Sequence, residues 1–390
     1  MTKPFFTAPF LLFNRPELVP HLRVLGVTIL ISGVKNVQSA YVSKHFLFKK
    51  FFFSTLGGTI TAAVVGLWMA SQGFGVWALV AQYLVNTTID TAILWITVKW
   101  RPQKYFSFKR LGVLFSYGWK LLVSSLLNVG YGQMTKWLIG LKYTNTDLGC
   151  YDNAESFTGF LANNVNTSID TVLFPAMAGA QDDRARVKSM TRRAMKTSIF
   201  VLAPMMAGLA ACSESIIKVV LTDEWLLSIP FILILAITYT FYPLHTANLN
   251  AMKALGRSDK FLKLEIIKKS IGVVLLLLSM NYGVMAITLT YLVSDIASQI
   301  INTFPNKKLI DYGYFEQLKD ILPTVLLAWA MGGIVFCVRL LGLNSLVTLL
   351  IQIPLGILIY YLGARLFKME SLDFALNALK SIIGKKEKKA

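Results

Sequence analysis

LGCYDNAESFTGFLANNVNTSIDTVLFPAMAGAQDDRARVKSMTRRAMK, residues Leu148 to Lys196, decides how the rest of the chain is read. Glu155, Thr158, Gly159, Ala162, Asn163, Asn166 and Asp170 recur at spacings of three and four, which places them on one stripe of a helix. Phe157, Phe160, Leu161, Val165, Ile169 and Val172 cover the other side. The spacing predicts a two-faced helix ending at Pro175. Arg184, Arg186, Lys188, Arg192, Arg193 and Lys196 then fall in one short connection before an apolar run opens at Ile199. A wet-faced helix followed by a basic connection fits a membrane span closed by a cytoplasmic loop. An amphipathic surface helix of a soluble protein shows the same pattern, so the surrounding chain has to decide.

Hydrophobic residues fill 55% of the 390 positions and charged residues 15%, with a mean hydropathy of +0.57. Soluble domains carry roughly 25% charged residues. The apolar residues arrive in runs of about the length that crosses a hydrocarbon core, so the chain reads as an all-α polytopic membrane protein. A net charge of +19 would suit nucleic acid, but its placement argues against that partner. Thirty of the 39 Lys and Arg lie in six connections, 43–51, 99–110, 184–196, 253–269, 307–319 and 365–389. The connections between them, at 71–75, 281–283 and 341–344, carry none. That alternation is the positive-inside pattern and predicts basic loops on the cytoplasmic face, against anionic membrane lipids. Cys150, Cys212 and Cys337 match no metal or redox spacing, and with three scattered histidines neither a metal nor a cofactor is expected. Met1 to Phe13 has no persuasive cleavage site, so insertion is expected to use the first spans.

Eleven spans are expected. Three occupy residues 1–100: Pro20 to Val42, with Lys35 and Gln38 inside it; Phe51 to Ala70, with Gly57, Gly58 and Gly66; and a span entered through the turn Ser71 to Gly75, in which Gln82, Asn86 and Asp90 make one polar line. Residues 101–110 form a basic cytoplasmic linker. Six spans follow in residues 111–305. The first, Leu111 to Lys142, carries Lys120, Asn128 and Lys136, and a kink or a broken helix is expected at Gly130 and Gly132. The opening stretch is the second and Thr197 to Val220, bent at Pro204, the third. Leu226 to Asn250 carries Pro243, His245 and Asn248; Lys263 to Met280 and Val284 to Asn302 form a hairpin, with Asp295 and Gln299 one turn apart. Residues 306–368 supply two nearly polar-free spans, Ile321 to Leu340 and Ser345 to Leu366, and residues 369–390 a basic cytoplasmic tail.

Several segments resemble a known family in order and spacing: GFGVWALVAQYL (Gly73 to Leu84), VKWRP (Val98 to Pro102), LGCYDNAESF (Leu148 to Phe157), DTVLFPAMAGAQDDRARVKSMTRRAM (Asp170 to Met195), LTDEWLLSIPFIL (Leu221 to Leu233) and NLNAMKALGRSDKFLKLEIIKK (Asn248 to Lys269). Across residues 18 to 305 the chain is similar to the Wzx-type lipopolysaccharide, O-antigen and colanic-acid flippases of the multidrug, oligosaccharidyl-lipid and polysaccharide exporter superfamily. The resemblance implies a MATE-like architecture of two helical lobes around a cavity opened alternately to either membrane face. It implies a transporter rather than an enzyme, moving a polyprenyl-pyrophosphate-linked oligosaccharide across the bacterial inner membrane, with polysaccharide polymerase machinery as a further partner. Family members usually begin with about three more spans, so an incomplete N-terminal lobe is expected. Where the family tends to have an acidic residue in the fourth span, this chain has Thr135 beside Lys136.

A polar headgroup crosses hydrocarbon only if protein groups replace its water. Gln38, Gln82, Asn86, Asn128, Asn163, Asn166, His245 and Asn248 are the expected sugar-facing groups, and Lys35, Lys120 and Lys136 the expected partners of the pyrophosphate. Asp90, Asp170 and Asp295 are the candidates for ion coupling. Helix-helix hydrogen bonding accounts for each of these residues as well. A cation-coupled multidrug exporter of the same superfamily and an inactive truncated fragment are the competing readings.

Overall fold

The computed structural model describes residues 18–45, 47–101, 107–180 and 182–374. Residues 102–106 of the expected linker and residues 375–390 of the expected tail lie outside that set. The chain divides into two compact units, residues 1–125 and 126–390.

The first unit contains α1 (Leu18–Lys44), α2 (Phe48–Ser71), α3 (Val76–Thr97) and the first half of α4 (Phe108–Lys142). The turn between α2 and α3 uses Gly73 and Gly75 at φ +80° and +53°, where a side chain would be strained. Ser54, Gly58, Ala62 and Gly66 recur every four residues along α2 and are all buried. This small stripe lets α3 approach closely: a Cβ on Gly58 would stand 2.7 Å from Asn86 Oδ1, and one on Gly66 3.3 Å from Gln82 Cβ. On the other side of α3, Trp95 Nε1 donates to Val34 O of α1 at 3.3 Å.

The second unit holds the rest of α4, α5 (Asn145–Ala178), α6 (Arg184–Val220), a 3₁₀ turn (Asp223–Ser228), α7 (Ile229–Thr240), α8 (Tyr242–Ala254), α9 (Ser258–Ser279), α10 (Val284–Ile310), α11 (Tyr314–Cys337) and α12 (Ser345–Leu366). Helix α6 is its axis, packing on α5, α7, α8, α11 and α12. Met195, Ile199, Leu202, Ala203 and Met206 of α6 are fully buried, while Val201 and Met205 leave one face of its middle exposed.

Four local expectations change. Residues 184–196 are the first turns of α6 rather than a loop: the Asp183 carboxylate caps the helix by accepting from Arg186 N at 2.9 Å, and the Arg, Lys, Met and Ala residues that follow favour helix. Helix α5 runs three residues past Pro175, since a proline deletes one backbone donor without forcing the chain to leave the helix. Helix α4 is continuous through Gly130 and Gly132. The expected seventh span is broken at Phe241 into α7 and α8, because Pro243 sits in the first turn of α8, where its missing N–H costs nothing.

Among the described residues, seven helical stretches are long and apolar enough to cross a membrane: residues 49–71, 76–97, 184–220, 223–254, 284–310, 314–341 and 345–366. The four other expected spans are also helical. α1, α4, α5 and α9 have 27, 35, 34 and 22 residues, each longer than the roughly 20 needed to cross.

Candidate functional site

In the first unit the polar residues are spent on one another and on packing. Lys35 of α1 donates to the Asp90 carboxylate of α3, and only 9% of the Asp90 side chain is exposed. Gln38, fully buried one turn along α1, donates to Trp100 O at 3.1 Å and leaves its own Oε1 without a partner. Gln82 and Asn86 lie on the glycine stripe of α2. Lys35 is therefore a neutralised cation, and the polar line of α3 faces helix rather than water.

The second unit gathers its polar side chains where α8, α10 and the start of α11 meet. His245 Nε2 lies 3.0 Å from Asp295 Oδ1, and Gln299 donates to Asp295 Oδ2 at 2.8 Å. Asn302 Nδ2 lies 2.8 Å from His245 Nδ1, which assigns the ring proton to Nε2, facing the carboxylate. One turn along α8, Asn248 and Gln317 exchange amide hydrogen bonds at 2.8 and 2.9 Å. Asn306 donates to Asn248 Oδ1 at 2.7 Å, and Thr303 to Gln317 Oε1 at 3.4 Å. Asn248, Asn302, Thr303, Asn306 and Gln317 are all fully buried, and Asn302 Oδ1 and Asn306 Oδ1 have no hydrogen-bond partner. The break at Phe241 makes this meeting possible, since it starts α8 on its own axis.

Besides one of about 180 Å³ shared with α4, α9 and α10, two cavities open on α5. The larger, about 840 Å³, runs between α5, α6, α11 and α12 and is almost wholly apolar, lined by Phe157, Phe160, Met205, Leu209, Ile353 and Ile357 among others. The smaller, about 200 Å³, lies between α5 and α8 and is polar: Asn163, Asn166, Thr167, Tyr242, Thr246, Leu249, Asn250 and Lys253 line it. Asn166 is fixed there, its Oδ1 accepting from Thr246 Oγ1 at 3.2 Å and its Nδ2 donating to Ala162 O at 2.9 Å. The stripe that opened the sequence reading is thus only partly wet. Thr158, Gly159 and Ala162 are buried in helix packing, while Asn163 stays exposed at the cavity.

Lys136 of α4 is held between two carboxylates of α5, Asp152 and Glu155, the latter at 2.7 Å. Like Lys35 it is no bare cation. Lys120 and Asn128 on α4 and Asp170 on α5 have side chains outside the described set. Of the residues expected from the sequence, the structure brings Asn163 and Asn166 to one cavity, and His245, Asn248 and Asp295 to the meeting of α8 and α10. Within the second unit these two places and the Lys136 pair remain separate. Missed were Asn302, Thr303, Asn306 and Gln317; the spacing Asp295, Gln299, Asn302, Asn306 was a signal, cut off because the span was ended at Asn302. The basic turns of α6 also carry partners unseen in the sequence: Lys188 pairs with Glu316 at 3.2 Å, Arg192 with Asp320 and Lys196 with Glu370 at 2.8 Å. Among the described residues no three His, Cys, Asp or Glu side chains converge as a metal site.

A family model described as polysaccharide biosynthesis protein matches residues 5–230. The chain is 25% identical over 227 residues to the succinoglycan biosynthesis transport protein ExoT of Rhizobium meliloti (strain 1021), covering 58% of this chain and 46% of that protein. It is 24% identical over 360 residues to the teichuronic acid biosynthesis protein TuaB of Bacillus subtilis (strain 168), covering 89% and 74%. Against the lipopolysaccharide biosynthesis protein WzxC of Escherichia coli (strain K12) it is 21% identical over 335 residues, covering 82% and 67%. The chain thus spans less than half the length of ExoT and about three quarters of TuaB. Its fold is that of the lipid II flippase MurJ in an inward closed conformation, with a TM-score of 0.74 at 17% identity over 93% of this chain and 80% of the other.

Proposed function

This chain belongs to the polysaccharide biosynthesis protein family, and on that premise we propose that it is a flippase, carrying a polyprenyl-pyrophosphate-linked oligosaccharide across the bacterial inner membrane by alternating access. One observation carries the reading: α5 borders both a polar cavity and a long apolar groove. That pair suits a ligand with a hydrophilic head and a hydrocarbon tail. The carboxamides and hydroxyls at the polar cavity replace the sugar's water, and the groove keeps the isoprenoid chain in an apolar setting. The names of the relatives support a polysaccharide precursor as the cargo.

Coupling falls to the His245–Asp295 pair in this account. A second proton on His245 Nδ1 would need an acceptor, and a turn of the Asn302 amide would present its unpartnered Oδ1. The charge so formed would face the Asp295 carboxylate. Asp90, already bound to Lys35, and Asp170 are the remaining coupling candidates, and Gln38, Gln82, Asn86, Lys120, Asn128 and Lys136 the remaining cavity candidates. The reading involves no chemical step. It puts the basic connections and the C-terminus on the cytoplasmic side, residues 1–100 and 111–305 in separate lobes, and the polymerase machinery downstream as a partner. Deleting the gene in its host is expected to lower surface polysaccharide and to accumulate the lipid-linked precursor. The intact chain should restore the polymer and the Asp295→Asn chain should not. Unchanged polysaccharide on deletion would contradict the transport reading, and full rescue by Asp295→Asn the coupling role.

A further inference from the structure

We infer that residues 369–374, which follow α12, are a displaceable stopper: Leu372 closes one end of the apolar groove, and a lipid chain that fills the groove drives the segment out. The inference rests on the reading of the groove as the place of the isoprenoid chain, and adds the device that governs access to it. Helix α6 lines the groove from Phe200 at one end to Ile216 at the other, a span of roughly 24 Å along the helix. At the Phe200 end α12 is tied to α6, Tyr360 Oη donating to Phe200 O at 2.9 Å. Leu372 is the one lining residue, among those described, that belongs to none of the four helices. Glu370, two residues before it, reaches Lys196, one turn before Phe200 on α6, so Leu372 sits at that end.

The chain turns back after α12 through Phe367, Lys368 and Met369, whose N–H groups donate to Gly363 O, Arg365 O and Ala364 O. Lys368 takes φ +49°, a left-handed conformation that is costly for a residue with a side chain and persists only where its surroundings hold it. What holds it is a helical turn with two sides. On the inner side Met369 and Leu372 pack on the core cluster around α6, and Ser371 is buried. On the outer side Lys196 Nζ donates to Glu370 Oε2 at 2.8 Å, and the Arg193 guanidinium stands 5.3 Å from the centre of the Phe374 ring. Both ties lie at the surface, the Glu370 side chain being 86% exposed, and exposed ion pairs and cation–π contacts are individually weak. An entering hydrocarbon chain replaces the apolar contacts that Leu372 makes in the groove. The exchange therefore gives up little beyond the two surface ties, and it releases the left-handed turn at Lys368.

The test follows amide exchange at residues 370–374 of the full chain in nanodiscs, with undecaprenyl phosphate, undecaprenol or inorganic phosphate added. The first two carry the chain, and the first and third the anion. A chain that displaces Leu372 is thereby told apart from a phosphate that draws Lys196 away from Glu370. Both lipids should lower protection at residues 370–374, and inorganic phosphate should leave it as it was. With no lipid added, Lys196→Glu should raise exchange there about two- to fivefold, the size of an exposed ion pair, with the protection of α6 unchanged. Combining Lys196→Glu with Glu370→Lys should return the rate towards that of the parent. Equal responses to inorganic phosphate and to the lipids, no response to either lipid, or exchange in Lys196→Glu equal to the parent would each overturn the stopper. A chain that flips lipid-linked oligosaccharide while residues 370–374 ignore undecaprenol would lose the stopper and keep the transport reading; one whose segment undecaprenol releases, but which flips nothing, would do the reverse.

Discussion

Asp320 ends the row of charges between α6 and α11, and its carboxylate is asked to do two things. It accepts from Arg192 and, at 2.7 Å, from the hydroxyl of Tyr312. Tyr312 is fully buried, and burial, followed by the bond to Asp320, pushes its phenol well above its ordinary range, so it remains a donor. Asp320→Ala would leave that hydroxyl buried without an acceptor and is expected to cost about 1–3 kcal/mol in a thermal melt in detergent. Arg192 is half exposed, and Arg192→Ala should cost less. Gln317→Leu is the parallel test of the amide network: it removes both hydrogen bonds that Gln317 exchanges with Asn248 and is expected to destabilise by about 1–3 kcal/mol. At Glu370 the hydrogen bond from Lys196 holds the carboxyl below its ordinary value of 4.5. A depressed carboxyl contributes above its unfolded value, and the contribution disappears as pH falls through the lower, folded one. Because Glu370 is exposed, the loss should be local. Protection from amide exchange at residues 370–374, measured relative to the intrinsic rate at each pH, is expected to fall below pH 4.5 with the main melting transition in place, and protection independent of pH would contradict the tie.

Hairpins of membrane helices stand or fall on how closely their backbones approach. Gly58→Leu in α2 would drive its side chain into Asn86, whereas at Gly33 of α1 a Cβ would meet nothing within 4 Å. The first substitution is expected to destabilise the first unit by about 1–3 kcal/mol or more, and Gly33→Ala to be near neutral, as read by thermal unfolding. Equal effects at the two glycines would show that the stripe on α2 is not the contact. Element by element, apolar run length was a sound guide, and every expected span is helical, the seventh as two helices broken at Phe241. The errors came where two signals competed. Asp183 followed by Arg, Lys, Ala and Met could have been read as a capped helix, but the cluster of positive charge pointed to a loop. Pro243 was visible in the sequence but was left inside one span, and nothing in one sequence says that His245 meets Asp295, fifty residues away. That Gln82 and Asn86 lie against the glycines of α2 is likewise a matter of which helix packs on which.

At the scale of the whole molecule, composition and apolar run length were enough to place the chain in the membrane. The likeness to MurJ then shows the fold. Composition could not show that the polar side chains divide among separate places, a polar cavity on α5 and α8, an amide network on α8, α10 and α11, and ion pairs that cancel Lys35 and Lys136. The measurement that bears most directly on the account is translocation of a fluorescent polyprenyl-pyrophosphate-linked oligosaccharide in vesicles reconstituted with this chain. The account predicts transfer between leaflets faster than in protein-free vesicles, and slowed by Asn166→Leu, which fills the polar cavity. Transfer at the protein-free rate, or a rate indifferent to that substitution, would contradict it.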